Sequence, residues 1–211
     1  MFLVGMTRPD VDNSIRELGR RAASPCMRHW RGLQHVLRYL AGTLDVCIHY
    51  DRGDQDMNER DEEFLVAYGD SDWGTDSQTC RSVTGYILLI NGSPMIARRS
   101  KLQGAVTLSS SEAEWTAMAY GMRHCIFIRG ILEEIGILQD QTPWFCDNHC
   151  AIQADSITGF NGRTKHMDMK LKFTRKYVDQ GIFQIEYIPT RKQLADVLLT
   201  KSLRKNHISD F

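Results

Sequence analysis

Three strand-like stretches in the middle of the chain constrain the fold more than any other feature. Residues 64–70, FLVAYGD, and residues 82–90, SVTGYILLI, have the length and the β-branched and aromatic content of strands. The Asn91-Gly92 pair is typical of a tight hairpin turn, after which the chain returns in residues 93–100, SPMIARRS. The sequence therefore predicts a three-stranded meander.

Helical patterns alternate with short strands after this meander. The predicted elements, in chain order, are a helix over 111–135, a strand over 143–147, a helix through 151–155, a helix over 166–179, a strand over 181–189 and a helix over 193–203. Thr190 and Gln193 offer a capping box for the last of these helices. The order βββαβααβα predicts an α/β fold, a mixed five-stranded sheet flanked by helices.

Two amphipathic helical patterns precede the sheet. The first covers residues 8–22, and the second follows Pro25 and ends at Gly42. The apolar stripe of the second helix is predicted to consist of Trp30, Leu33, Leu37 and Leu40. Residues 46–50, VCIHY, favour a short strand.

An acidic segment marks the boundary between these helices and the sheet. Residues 51–63, DRGDQDMNERDEE, hold seven acidic residues against two arginines, a composition typical of a solvated linker. We therefore expect three parts: a helical connector segment over residues 1–50, an acidic linker over residues 51–63 and a sheet-based domain over residues 64–205.

The formal net charge of the chain is zero, so the overall charge does not indicate a polyanionic partner. Residues 161–205, however, carry eleven lysines or arginines against four acidic residues. This basic part favours two interpretations equally, contact with a phosphate backbone or a solvated helix face. No stretch approaches the roughly 20 apolar residues that span a membrane, and the first residues do not have a signal-peptide pattern. We therefore expect an intracellular protein.

Six cysteines are spread along the chain, which favours reduced thiols in a cytosolic compartment. The one close pair is Cys146 and Cys150, with His149 beside it. A structural zinc site needs a second pair at comparable spacing, and the sequence has none. We interpret these two cysteines as a buried strand residue and a helical residue.

The first predicted strand ends in two carboxylates, Asp70 and Asp72, which a hydrophobic core would reject. A third acid, Glu114, lies on or beside the apolar face of the long helix, four residues before Met118. An alternative is a capping box, in which Ser111 and Glu114 bond the N-terminus of that helix. From this feature alone we favour the cap.

Two further acids occur at the same kind of position. Asp147 ends a short apolar strand, where ligands of α/β sheets tend to bind, although it also fits a helix N-cap. Asp196 lies in the first half of the last helix. Carboxylates that converge repel one another and persist mainly when divalent cations neutralise them. Oxygen-only ligands favour Mg²⁺ or Mn²⁺, and two such ions roughly 3.5–4 Å apart can clamp a phosphodiester.

Five motifs occur together in a fixed order. They are AYGDSDWG, RSVTGYILLINGSPMIARRSKLQGAVTLSSSEAEW, FCDNHCAI, RTKHMDMK and IPTRKQLADVLLTKSL. This set resembles the ribonuclease H domain of copia-type retrotransposon polyproteins. The upstream segments TRPDVDNSI and HWRGLQHVLRYLAGTLD resemble the region that joins the reverse transcriptase to this domain. The resemblance covers nearly the whole chain.

The resemblance implies a ribonuclease H fold and cleavage of the RNA strand of an RNA–DNA hybrid with two Mg²⁺ ions, for which Mn²⁺ substitutes. Matched motif by motif, the implied metal ligands and catalytic residues are Asp70, Glu114, Asp147 and Asp196. Asp72 and Glu112 are implied to be neighbours only, with Glu112 on the outer face of its helix. The implied partner within the polyprotein is the reverse transcriptase portion, and the implied location is cytoplasmic, within virus-like particles or nuclear.

The hybrid is expected to be recognised by its shape, through 2′-hydroxyls in the minor groove and through phosphates held by basic residues. The candidates for substrate binding are Arg81, Arg99, Lys101, Arg163 and Lys165, with Asn148 and His166 near the site. In an alternative interpretation, His166 and Asp168 form a pair at the start of a helix.

Two other functions fit parts of the pattern. An integrase or transposase uses the same fold and two metal ions, but its acids come in the order Asp, Asp, Glu, whereas Glu is second here. A catalytically inactive module of a decayed or domesticated element, which binds hybrids or connects domains, would keep the fold without the reaction.

Overall fold

A mixed sheet forms the centre of the structure, which is a computed structural model. The model describes residues 3–4, 7–48, 64–76, 78–90, 93–148 and 165–196. The strands are β1 (Leu65–Asp72), β2 (Val83–Ile90), β3 (Ser93–Leu102), β4 (Thr142–Cys146) and β5 (Phe183–Tyr187). The helices are α1 (Asp12–Arg20), α2 (Met27–Ala41), α3 (Ser110–Glu134) and α4 (Lys165–Asp179), with 3₁₀ turns at Pro9–Val11 and Thr190–Lys192.

The five strands lie in the order β3-β2-β1-β4-β5. The first three form an antiparallel meander, in which Leu65 of β1 pairs with Ile90 and Asp72 pairs with Val83. β4 is parallel to both β1 and β5. The predicted α/β class and mixed five-stranded sheet are therefore confirmed. The predicted turn at Asn91-Gly92 lies outside the described residues.

One tryptophan fixes how the long helix crosses the sheet. Trp144 of β4 is fully buried and meets Phe183 edge to face, with ring centroids 6.3 Å apart. A Cβ added at Gly69 of β1 or at Gly121 of α3 would overlap the Trp144 ring, so both glycines permit close packing there. Glu114 lies seven residues before Gly121, about two helical turns, which brings it to the end of β1.

The remaining core residues come from both layers. The face of α3 predicted to turn toward the sheet is the face that is buried. Its members in the core are Trp115, Met118, Met122 and Cys125, with Ile126 partly buried beside them.

The two N-terminal helices form a small cluster of their own. Val11 and Val36 are buried in it, and Ile15, Leu18 and Leu40 pack against them. The predicted apolar stripe of α2 is wrong in part, because Trp30 and Leu37 are more than half exposed while the neighbouring face is buried. A sequence pattern identifies apolar positions, but it does not tell which of them meets a partner.

Two ion pairs join this helical pair to the sheet domain. Arg20 of α1 lies 2.6 Å from a carboxylate oxygen of Asp76, and Arg98 of β3 lies 2.6 Å from one of Asp12. Residues 46–48 are not in a strand, contrary to the expectation for VCIHY, and the acidic linker lies outside the described residues. The three-part division of the chain stays a prediction.

Several predicted elements cannot be compared with the structure. The helix through 151–155 and the last helix beyond residue 196 lie outside the described residues. In the part of the chain that the structure describes, no helix is both long and apolar enough to cross a membrane.

Candidate metal centre

Three carboxylates meet at one end of the sheet. Oxygen atoms of Asp70, Glu114 and Asp147 all lie within 4.8 Å of one another. Asp196 lines the same cavity, which has a volume of about 400 Å³. The other residues that line this cavity are Ser71, Asp72, Asn148 and Thr190. Residues from β1, α3, the segment directly after β4 and the segment after β5 therefore converge, and they include the four acids named from the sequence.

Strand pairing explains why a cavity forms at this end. The β1–β4 ladder consists of Ala67 opposite Trp144 and Tyr68 opposite Phe145. Beyond these pairs the two strands continue without a shared ladder, and the carboxylates follow at Asp70 and after β4. Crevices of this kind at the carboxyl ends of parallel strands are the usual ligand sites of α/β sheets.

The start of α3 settles the role of Glu114 at the helix N-terminus. Ser109 is the N-cap, and its hydroxyl accepts the N–H of Glu112 at 3.2 Å. The carboxylate of Glu112 accepts the N–H of Leu108 at 2.6 Å. Ser109, and not Ser111, therefore caps this helix, so the proposed cap by Ser111 and Glu114 is wrong. The outer-face placement of Glu112 is also wrong, because Glu112 is buried.

Glu114 is left to face the other carboxylates. It is 6% exposed, and the backbone N–H of Ser71 donates to its Oε1 at 3.3 Å. Burial raises the pKa of Glu114 well above its usual range, and the charges of Asp70 and then Asp147 raise this pKa further. The hydrogen bonds from Ser71 oppose the rise. A buried acid with a raised pKa is a site where a cation would be bound favourably.

Asp147 is held from the segment that follows β5. The hydroxyl of Thr190 donates to Oδ2 of Asp147 at 2.7 Å. The predicted capping box of Thr190 with Gln193 is therefore wrong, since the Gln193 amide bonds the strands β1 and β4 instead. The N-cap alternative for Asp147 concerns a helix outside the described residues.

Sequence reasoning missed two residues of this site. Ser71 contributes a backbone N–H to Glu114, for which no sequence signal exists. Thr190 was noticed as a capping residue, but the bond it makes joins residues 43 positions apart.

Two of the predicted substrate-binding residues lie on the edge strand β3. Both Arg99 and Lys101 are exposed. Across the intervening strand β2, Arg99 is in register with Gly69 and Lys101 with Ser71, the two neighbours of Asp70 on β1. Two strand spacings, about 10 Å, separate β3 from β1. Arg81 is half-buried in the connection between β1 and β2.

The remaining substrate candidates follow β4 in the chain. Asn148 lines the acidic cavity directly after Asp147. Lys165 and His166 lie in the first turn of α4, and the pairing of His166 with Asp168 stays a prediction. Arg163 lies outside the described residues.

The donor set fits a hard divalent cation. All of the converging groups are carboxylates, and Mg²⁺ and Mn²⁺ prefer oxygen ligands. Cys146 is buried beside these acids, and its burial raises the pKa of its thiol, which disfavours the thiolate that zinc would bind.

The sequence is similar to transposon proteins over almost its full length. It is 31% identical over 206 residues to the retrovirus-related Pol polyprotein from transposon TNT 1-94 of Nicotiana tabacum, covering 98% of this chain and 15% of that protein. It is 34% identical over 209 residues to the corresponding polyprotein from transposon RE2 of Arabidopsis thaliana, covering 99% of this chain and 14% of that protein. The secreted RxLR effector protein 161 of Plasmopara viticola is 34% identical over 128 residues, covering 61% of this chain and 84% of that protein.

Two solved structures align with about two thirds of the chain. A complex of LC11-RNase H1 with an RNA/DNA hybrid gives a TM-score of 0.48 at 14% identity, covering 64% of this chain and 92% of that chain. The foamy viral protease-reverse transcriptase in complex with dsDNA gives a TM-score of 0.48 at 18% identity, covering 67% of this chain and 94% of that chain. No protein-family model matches the chain.

The topology and the relatives together define the class of the protein. The mixed sheet with its flanking helices belongs to the α/β class that the sequence predicted. The homologues of the chain are retrovirus-related Pol polyproteins from copia-type transposons, as the motif resemblance predicted. It spans about one seventh of the length of the two polyproteins named above.

Proposed function

We propose that this chain hydrolyses the RNA strand of RNA–DNA hybrids during retrotransposon reverse transcription. Asp70, Glu114, Asp147 and Asp196 would hold two Mg²⁺ ions, with Mn²⁺ as a substitute. The observation that carries the proposal is the convergence of carboxylates from β1, α3 and β4 within 4.8 Å of one another. Similarity to transposon Pol polyproteins supports a hybrid as the substrate.

The roles of the residues follow from the negative charge that develops on oxygen atoms during hydrolysis of a phosphodiester. Bound divalent ions would lower the pKa of the attacking water and would stabilise the negative charge on the departing 3′ oxygen. The four carboxylates contribute the negative charge that holds such ions, and the buried position of Glu114 excludes water from one side of the site. Arg99 and Lys101 would hold phosphates of the hybrid from β3, two strand spacings or about 10 Å from β1.

Cleavage of a labelled RNA–DNA hybrid in Mg²⁺ tests the activity. We expect endonucleolytic cuts in the RNA strand and none in a DNA duplex of the same sequence. Asp70→Asn and Asp147→Asn should each lower the rate by more than about 100-fold, since loss of even an outer partner of a metal ligand costs about 10–100-fold. Asp140→Asn, an exposed acid before β4, is the matched control and should retain the wild-type rate.

A different outcome would support the inactive module. In that case the hybrid would bind without being cut, and Asp70→Asn would bind it as tightly as the wild type. Such a result would refute the nuclease proposal while leaving the fold and the family unchanged.

The phosphate contacts have a separate test. Arg99→Ala and Lys101→Ala should each reduce the slope of log affinity against log salt by about one and weaken binding for all sequences. Arg98→Ala is the matched control, because Arg98 lies on the same strand but is paired with Asp12. An unchanged slope in both variants would exclude this face of β3 from the hybrid interface.

We also propose that the exposed apolar face of α2 contacts the reverse transcriptase portion of the same polyprotein. Met27, Trp30 and Leu37 are each more than half exposed on this helix, and patches of this kind mark interaction sites. Trp30→Gln with Leu37→Gln should weaken binding of a separately produced polymerase portion in sedimentation. Leu138→Gln, at an even more exposed leucine after α3, should not.

A further inference from the structure

One buried amide connects the backbone beside three of the four acids. Gln193 lies in the short segment between the 3₁₀ turn that follows β5 and the residue Asp196, and it is fully buried. A buried primary amide needs hydrogen-bond partners for its two N–H groups and its oxygen. The partners that the structure provides are backbone groups that each lie within two residues of one of the acids.

The nitrogen of this amide bridges the two strands that carry the first and third acids. Nε2 donates to the carbonyl oxygen of Gly69 at 3.0 Å and to that of Phe145 at 3.3 Å. Gly69 immediately precedes Asp70, and Phe145 lies two residues before Asp147. The β1–β4 ladder ends at the neighbouring pair of residues, so this side chain continues the connection where strand pairing stops.

The oxygen of the same amide reaches the segment of the fourth acid. Oε1 accepts the backbone N–H of Ala195 at 3.3 Å, and Ala195 immediately precedes Asp196. A flipped amide would place its oxygen against two carbonyl oxygens, so the donor and acceptor assignment follows from the partners. Gln193 therefore links β1, β4 and the residues leading into Asp196 through one planar group.

Thr190 adds a fourth connection from the same segment. Its hydroxyl donates to Oδ2 of Asp147 at 2.7 Å, which fixes the orientation of that carboxylate. Thr190, Gln193 and Asp196 are spaced three residues apart, and each is directed to this end of the sheet. Neutral donors that hold backbone and carboxylate in place act as the outer partners of a metal site.

We propose that Gln193 is a positioning residue, which holds the strands of Asp70 and Asp147 and the segment of Asp196 at the separation that a divalent ion requires. Like charges at this separation push their strands apart when no cation is present. A neutral amide opposes that motion without adding charge. This inference rests on the proposed metal-dependent function of the same site.

The test compares metal affinity with stability. Gln193→Met keeps the length and volume of the side chain but removes its hydrogen bonds. We expect it to weaken Mn²⁺ binding, measured by calorimetry without nucleic acid, by about 10–100-fold. In hybrid cleavage, raising the metal concentration should restore much of the rate, so the loss appears as a shifted metal dependence.

Thr142→Val controls for a general loss of stability. Thr142 is buried at the opposite end of β4, where Arg129 donates to its hydroxyl, so the substitution removes a buried bond without touching the site. It should lower the melting temperature and leave Mn²⁺ affinity unchanged. Thr190→Ser, which keeps the hydroxyl, should bind Mn²⁺ like the wild type, whereas Thr190→Val should bind it more weakly.

The outcomes separate this inference from the proposed function. Mn²⁺ affinity within about twofold of the wild type in Gln193→Met, with cleavage abolished in Asp70→Asn, would overturn the role of Gln193 alone. Weakened Mn²⁺ affinity in a protein that never cuts hybrids would support the positioning role and overturn the nuclease. Absence of Mn²⁺ binding in the wild type would overturn both.

Discussion

The sheet domain and the N-terminal helical pair each contain a tryptophan, and the two side chains have opposite surroundings. Trp144 is 0% exposed between β1, α3 and β5, whereas Trp30 on α2 is 53% exposed. The sheet domain has one large core that includes residues of all its described layers. The helical pair buries a small cluster around Val36 and adds polar bonds, such as those of Arg8 to Asp10 and Thr43.

The difference is consistent with the roles proposed for the two regions. Carboxylates can be held against their repulsion only by elements that a dense core fixes in place, and the sheet domain supplies that core. The helical pair keeps an apolar face exposed and is joined to the sheet by ion pairs. Such a region suits a connector whose remaining partner lies elsewhere.

Truncating each tryptophan gives the largest expected contrast. Trp144→Ala should lower the free energy of unfolding by about 3–5 kcal/mol, the usual cost of removing a large buried aromatic side chain. Trp30→Ala should change it by no more than about 0.5 kcal/mol, because the side chain is mostly solvated. Urea denaturation measures both values. Equal losses in the two variants would mean that the helical pair is as tightly packed as the sheet.

Adding one methyl group to a helical glycine in each region gives the next contrast. Gly121→Ala should destabilise by about 1–2 kcal/mol, since overpacking against Trp144 outweighs the gain in helix propensity of about 1 kcal/mol. Gly32→Ala in α2 should be neutral or stabilising by up to about 1 kcal/mol, because its Cβ meets only the flexible end of Leu18 at 3.2 Å. Thermal melts in parallel would detect the opposite signs. A loss at Gly32 as large as that at Gly121 would contradict the looser packing of the helical pair.

Most of the sheet domain could be predicted from local sequence. The meander, the buried face of α3 and the two parallel strands follow from runs of β-branched residues and from helical periodicity. The stripe of α2 could not be assigned correctly, because Trp30 and Val36 lie on adjacent apolar faces and only tertiary contacts select one. The periodicity of apolar residues identifies an apolar face of a helix, but it does not identify the element against which that face packs.

The candidate site was predictable to the extent that its residues are charged. Acids at strand ends and helix starts stand out because a core rejects them. The two overlapping Ser-x-x-Glu frames at the start of α3, however, could not be ranked without coordinates. Gln193 was assigned to a local cap, whereas its amide bonds Gly69, 124 residues away. Hydrogen bonds between side chains and distant backbone leave no local pattern.

Removing one charge from the acidic site should stabilise the metal-free protein. The folded state raises the pKa of Glu114, so its contribution is favourable below the unfolded pKa of about 4.3 and is lost as pH rises through the folded value. Glu114→Gln can keep the bond from Ser71, and it should raise the melting temperature in EDTA at neutral pH but not near pH 4. Added Mg²⁺ should reverse the order, because the variant loses a ligand. A lower melting temperature of Glu114→Gln in EDTA at neutral pH would contradict this expectation. It would show that the Glu114 carboxylate has a net stabilising effect on the metal-free fold, despite its burial and its repulsion from Asp70.

The ion pair that joins the two regions should have the smallest effect and the opposite dependence on pH. The bond from Arg20, followed by that from Thr79, holds the pKa of Asp76 well below its usual range. This contribution is therefore present above the unfolded pKa of about 3.9 and is lost as pH falls through the folded value. A double-mutant cycle of Arg20→Ala and Asp76→Asn should give a coupling of about 0.5–1 kcal/mol at low salt and less at 1 M salt. The Arg98 and Asp12 pair provides a second cycle between the same regions. Couplings near zero in both cycles would mean that apolar contacts alone join the helical pair to the sheet. Couplings that persist at 1 M salt would mean that these ion pairs are shielded from solvent.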